Sequence, residues 1–196
     1  MIISHSHKFV FIHTPKTSGS SISYLLNKYS KNLALPKDID IDTWGWQIPL
    51  HEQGMHQPYR FIKEHIPADY YVFAFVRNPF DMLVSGFRHK IKLDFDNFIM
   101  YKMFSEPKLF YKWTQWEYLS INDQIQLDYV GKFENIEQDF NNIAEQIGIK
   151  ECYTDIPLKN VTNYNKEHYR DYYNDETREV VENRYAKDLE YWEYKF

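Results

Sequence analysis

Apolar residues along this chain fall into short unbroken runs and spaced stripes, and the two patterns alternate. Lys8 to His13 reads Lys-Phe-Val-Phe-Ile-His, a compact run of β-formers that predicts a strand buried on both faces. A polar turn follows, Thr14-Pro15-Lys16-Thr17-Ser18-Gly19-Ser20-Ser21. Beyond it Ile22, Leu25, Leu26 and Tyr29 recur at helical spacing, so a helix is predicted from near Ser20. Residues 30–54 are polar and weakly periodic, and a short strand around Trp46 to Leu50 is the one element expected there. Pro58 opens a short predicted helix with Tyr59, Phe61, Ile62 and Ile66, which Pro67 stops.

A second apolar run, Tyr71 to Val76, leads directly into Arg77-Asn78-Pro79, where Asn78 suits a helix N-cap and Pro79 the first turn. Phe80, Leu83, Val84 and Phe87 mark the buried face of the helix that follows. Between Asp94 and Asp123 the chain is aromatic-rich and expected to be helical, with a break near Pro107. A third strand is predicted over Leu127 to Phe133. It leads to Asn135 and a helix with Ile136, Phe140, Ile143, Ala144 and Ile147 on one stripe, ending at Gly148. Residues 149–165 read as a loop. Asn174 is placed to cap a final helix whose apolar face is Val180, Val181, Tyr185, Leu189 and Trp192. Alternating strands and helices predict an α/β fold of three layers, a central parallel sheet with helices on both sides. In such folds ligands sit beyond the carboxyl ends of the strands, and the polar loops after the first two runs leave such ends.

At 196 residues and 43% hydrophobic content the chain can close one substantial core, so a single domain over 1–196 is expected. The count of 28 Asp and Glu against 23 Lys and Arg leaves a formal charge of −5. No overall attraction to nucleic acid or to an anionic membrane follows, and any anion site must be local. Cys152 stands alone, so it closes no internal disulfide, and no Cys/His spacing suggests a metal site; a reducing compartment suits this composition. No segment approaches the roughly 20 apolar residues of a membrane span, and the first residues lack the pattern of a secretory signal, so a cytoplasmic protein is expected.

The loop after the first strand has the chemistry of an anion site. Small residues expose consecutive backbone N–H groups, the following helix adds its positive end, and Lys16, Thr17, Ser20 and Ser21 add donors. Compared with the nucleotide-triphosphate loop Gly-x-x-x-x-Gly-Lys-Ser/Thr, the segment keeps Gly19 and Ser21, but Ser20 replaces the lysine and Thr14 the first glycine. The missing lysine is the one that serves β and γ phosphates, and the last hydroxyl of that loop holds Mg²⁺.

The run Phe-Val-Phe-Ile-His-Thr-Pro-Lys-Thr-Ser-Gly-Ser-Ser, residues 9–21, resembles the 5′-phosphosulfate loop of sulfotransferases that use 3′-phosphoadenosine 5′-phosphosulfate, PAPS. Within that family it is most like the carbohydrate branch, the heparan and chondroitin enzymes and their soluble bacterial relatives. The resemblance implies a sulfotransferase fold of the P-loop nucleotide-hydrolase type, with Lys16, Thr17, Ser18, Gly19, Ser20 and Ser21 around the phosphosulfate. PAPS has neither β nor γ phosphate, and a lysine earlier in the loop, Lys16, is placed for the bridging oxygen where negative charge develops. Residues 72–87, Val-Phe-Ala-Phe-Val-Arg-Asn-Pro-Phe-Asp-Met-Leu-Val-Ser-Gly-Phe, resemble the family's 3′-phosphate motif. By that likeness Arg77 and Ser85 grip the ribose phosphate, a forked cation and a neutral hydroxyl. Taken alone, Arg77 would as readily pair with a neighbouring carboxylate, and Ser85 would serve close helix packing.

Gly131 to Phe140, His168 to Tyr173 and Arg184 to Leu189 also look like family segments, so the resemblance spans most of the chain. In the family a loop before the His-Tyr-Arg segment folds over the nucleotide, which implies contacts from Asn160, Thr162 and Lys166. In related carbohydrate enzymes a histidine between the two nucleotide motifs takes the acceptor proton, a role that falls here to His56. Its place before Pro58 would keep the ring neutral through the helix dipole. His51, Glu52 and Glu64 are the competing bases, and His13 reads as support for the loop. The expected reaction moves the sulfuryl group of PAPS to a hydroxyl acceptor and releases PAP, the 3′,5′-bisphosphate; no metal is needed. A saccharide acceptor is what the likeness implies, while a lipid or small phenol stays open. Two other classes remain: a nucleotide kinase on the same architecture, and a nucleotide binder without turnover.

Overall fold

The computed structural model describes residues 1–29, 58–88, 93–102, 113–150, 156 and 167–196. Its strands are β1 (Ile2–Ser4), β2 (Phe9–Ile12), β3 (Tyr71–Val76), β4 (Ser120–Ile121), β5 (Gln124–Ile125) and β6 (Tyr129–Lys132). The α-helices are α1 (Gly19–Leu26), α2 (Pro79–Phe87), α3 (Phe95–Asn97), α4 (Gln115–Leu119), α5 (Ile136–Gln146), α6 (Asp175–Arg184) and α7 (Ala186–Tyr191).

Four strands form one sheet in the order β1-β2-β3-β6. Both inner pairs are parallel, with Phe11 opposite Phe73 and Phe75 opposite Gly131. All three carboxyl ends therefore open on the same edge. The sheet is mixed rather than purely parallel, because β1 runs antiparallel to β2, with Ile2 opposite Phe11. Three residues are too few to register as a run, and the short turn between β1 and β2 permits only antiparallel pairing.

Side chains alternate across the sheet with the strand period. Phe9, Phe11, Phe73 and Phe75 face one side, where Ile22, Leu25 and Leu26 of α1 and Phe140, Ile143 and Ala144 of α5 cover them. Val10, Ile12, Val72, Ala74 and Val76 face the other, packed by Tyr59, Ile62, Trp116, Leu119 and Trp192. A third cluster, Phe80, Leu83, Phe95, Phe98, Val181 and Tyr185, joins α2 to α6. Each fully buried ring or branched chain contributes ~1.5–3 kcal/mol, so the sheet tips rest on a stiff base.

Local chemistry explains the boundaries. The Asn78 side chain accepts from Phe80 N–H with Pro79 at the first position, so α2 starts where predicted. α5 ends in a Schellman turn, with Gly148 at φ 73 and Ile149 N–H donating to Ala144 O at 2.8 Å. The helix predicted after Pro58 is instead two 3₁₀ turns, Tyr59–Phe61 and Lys63–His65, parted by Ile62 at φ −114. The final helix is capped by Asn174, whose side chain accepts from Thr177 N–H, but Tyr185 splits it into α6 and α7. In the aromatic stretch, α3 and α4 are short, and Asn122 and Asp123, both at positive φ, close the β4–β5 hairpin. Pro107 and the strand expected at Trp46 to Leu50 lie outside the described residues. No helix among the described residues is long and apolar enough to cross a membrane.

Gly131 lies under the Phe75 ring, where an added Cβ would stand 2.6 Å from Cε1 and 3.1 Å from the Asp139 Cβ. Gly131→Ala is expected to destabilise the protein by ~1–3 kcal/mol through overpacking, read as a lower urea midpoint at unchanged slope.

Candidate functional site

The loop from His13 to Ser18 leaves the tip of β2 and is tied down by its threonines. Thr14 Oγ1 donates to the Phe75 carbonyl on β3, and Thr17 Oγ1 donates to Thr14 O at 3.0 Å. Both side chains are fully buried, so the Thr17 hydroxyl is taken up in holding the loop. Lys16 and Ser18 are both left-handed, at φ 61, an alternation that curls successive N–H groups into an anion-binding concavity. The Ser18 carbonyl starts α1 by accepting from Ser21 and Ile22 N–H, while its side chain makes no cap bond. Among the described residues no acceptor meets the N–H groups of Lys16, Ser18, Gly19 and Ser20, while Thr17 N–H turns back to the Thr14 carbonyl. Ser20 is exposed and Ser21 is buried.

Gly19 is required by a close approach. The His13 imidazole, itself buried and stacked on Phe11, lies where a Cβ at residue 19 would come to 1.8 Å from its Cδ2 and Nε2. His13 thus packs against the start of α1.

Arg77 leaves the adjacent tip of β3 and reaches across to the same loop. Its Nη1 donates to the Lys16 carbonyl at 3.2 Å, and its Nε and Nη2 meet Asp81 Oδ2 at 2.8 and 2.7 Å. The guanidinium plane rests on the Phe133 ring at 4.0 Å, just beyond β6. Each terminal nitrogen keeps a second hydrogen for another acceptor. Arg77 therefore does pair with a carboxylate, as its residue type allowed, while also joining the two loops. Ser85 is half-buried one turn beyond Asp81 on the same stripe of α2. The Lys16 ammonium is held below its ordinary pKa, first by burial and then by the Arg77 charge beside it. Two cations thus stand at one sheet edge in a chain of net negative charge.

His56, His51, Glu52, Asn160, Thr162 and Lys166 lie outside the described residues. Glu64 is exposed on the second 3₁₀ turn, and among the described residues no hydrogen bond or ion pair links it to either loop.

Several residues of this site were not singled out from sequence. Gln115 grips the Arg77 main chain, and Asp188, fully buried, grips Gln115. Glu134 accepts from Asn78 N–H at 2.8 Å and from the Tyr194 hydroxyl at 2.9 Å, and Asn78 Nδ2 donates to Lys195 O at 2.8 Å. Glu134 and Asp188 fall within segments read as family-like, 131–140 and 184–189, but nothing local pointed to these contacts. These residues are brought in from distant positions by the fold.

With the two loops joined at parallel strand tips, the chain belongs to the sulfotransferase family: a model of that family matches residues 1–195. Membership makes the protein a transferase of sulfuryl groups. Comparisons with curated proteins and with solved structures found no match.

Proposed function

We propose that this protein transfers the sulfuryl group of PAPS to a hydroxyl acceptor, with a saccharide as the expected acceptor class. The observation that carries the reading is the Arg77 bond to the Lys16 carbonyl, which joins the loop after β2 to the loop after β3 at one sheet edge. The N–H groups of Lys16, Ser18, Gly19 and Ser20 and the N-terminus of α1 suit the 5′ group in a P-loop-like cradle, and Arg77 with Ser85 suits the 3′-phosphate.

In the reaction the acceptor oxygen attacks sulfur in line, its O–S bond forms, and the bond from sulfur to the bridging oxygen breaks. PAP leaves with the electron pair on its 5′-phosphate, where Lys16 offers a positive charge. The acceptor proton goes to a base, assigned by resemblance to His56.

Calorimetric titration tests the reading against its rivals. PAP is expected to bind without metal, more tightly than adenosine 5′-phosphate, AMP, and to be displaced by PAPS. Tighter binding of ATP with Mg²⁺ than of PAP would make the protein a kinase. PAP binding with no transfer of labelled sulfate to any of a panel of saccharides, phenols and lipids would make it a binder without turnover.

A further inference from the structure

The tip of β3 has an unusual support. Arg77 N–H donates to Gln115 Oε1 at 2.8 Å, and Gln115 Nε2 donates back to Arg77 O at 2.8 Å. The amide thus pairs with both main-chain groups of one residue, as a neighbouring strand would, just where the sheet ladder with β6 stops at Val76 and Lys132. Gln115 is itself fixed. Its backbone N–H donates to Asp188 Oδ1 at 2.9 Å, and its side-chain Nε2 donates to the same oxygen at 3.3 Å. Trp116 N–H donates to Asp188 Oδ2 at 3.3 Å.

These bonds dictate which way the amide points. Nε2 faces two acceptors, the Arg77 carbonyl and the Asp188 carboxylate, while Oε1 faces one donor. A flipped amide would set oxygen against two oxygens and nitrogen against an N–H, in a place where Gln115 is 2% exposed and Asp188 fully buried. Burying a carboxylate is costly unless it is well bonded, so an apolar residue at 188 would serve a plain core better. What the carboxylate supplies is direction, passed from α7 to α4 and from α4 to the main chain of Arg77.

We propose that Gln115 is a positioning residue for Arg77, held in register by Asp188, and that the pair sets the protein's selectivity for a nucleotide bearing a 3′-phosphate. The inference rests on the sulfonucleotide reading of the site. The bonds of both side chains run to main-chain groups and to each other. Together they fix the main chain from which the guanidinium reaches Asp81, Lys16 O and the ring of Phe133, and a small misplacement of a charged fork is lost in affinity for the group it grips.

The test is a comparison of PAP with AMP on the full chain. Gln115→Met keeps the length of the side chain and removes its polar ends. It is expected to weaken PAP by about tenfold to a hundredfold and AMP by less than about twofold, with KM for PAPS raised and kcat at saturating PAPS nearly kept. In an Arg77→Ala background the same change is expected to cost PAP nothing further, because the residue it positions is gone. Equal losses for PAP and AMP, or losses that add in the double variant, would overturn the proposal and leave Gln115 a general packing residue. Should Gln115→Met not fold, Asp188→Asn makes the same comparison; it replaces one acceptor oxygen by a donor, and a smaller but equally PAP-selective loss is expected. A wild-type protein that does not prefer PAP to AMP overturns the site reading itself, and this inference with it; a wild type that prefers PAP beside a Gln115→Met variant that keeps the preference overturns only the inference.

Discussion

Arg77→Ala is expected to weaken PAP by at least about thirtyfold while AMP loses no more than about threefold, since removing one partner of a desolvated charge pair typically costs ~2–5 kcal/mol. The guanidinium is mostly covered, at 14% exposed, so its charge is poorly screened by water. It is also held on three sides, by Asp81, by the Lys16 carbonyl and by the Phe133 ring, so little entropy remains to be lost when it meets a phosphate. Arg77→Lys should recover only part of the affinity. A single ammonium has no fork to keep Asp81 and Lys16 O while meeting a new oxygen, and it lacks the flat face that rests on Phe133. Equal losses for the two nucleotides would mean that Arg77 binds no 3′-phosphate.

What could be read from sequence, and what could not, follows the reach of the interactions. The run Tyr71 to Val76 became β3 to the residue, because six apolar residues, five of them β-formers, bounded by a polar turn leave no competing element. α5 and its terminal Gly148 were legible for a similar reason, since stripe and stop signal lie within one segment. β1 was missed because its pairing is decided by β2, not by its own three residues. The kink at Tyr185 has no proline or glycine to announce it. The same distinction divides the site: the cradle at residues 16–20 and the Arg77–Asp81 pair lie in local motifs. Gln115, Glu134 and Asp188 are separated from Arg77 by tens of residues, and only the folded chain brings Gln115 to its main chain, Glu134 to its neighbour Asn78, and Asp188 to Gln115.

Lys16→Met is expected to lower sulfate transfer by about a hundredfold to a thousandfold, the scale for losing one preorganised group that meets developing oxyanion charge, while PAP binding falls only a few-fold. Burial and the Arg77 charge both hold the Lys16 ammonium below its ordinary pKa. The sign follows from linkage. Between the folded pKa and the higher unfolded one the unfolded chain binds more protons, so this group's contribution to stability rises with pH across that window and is unfavourable below it. Near neutral pH the charged lysine is therefore a cost to the free protein, and Lys16→Met should leave its Tm unchanged or raise it. In the proposed mechanism the cost is offset when negative charge appears on the bridging oxygen as the bond to sulfur breaks. A group that is strained alone and satisfied only as the leaving group forms acts on the transition state more than on binding, so kcat should fall far more than KM rises. Transfer within about threefold of wild type, or a Tm that drops with activity, would remove Lys16 from the chemistry and leave it a residue that shapes the loop.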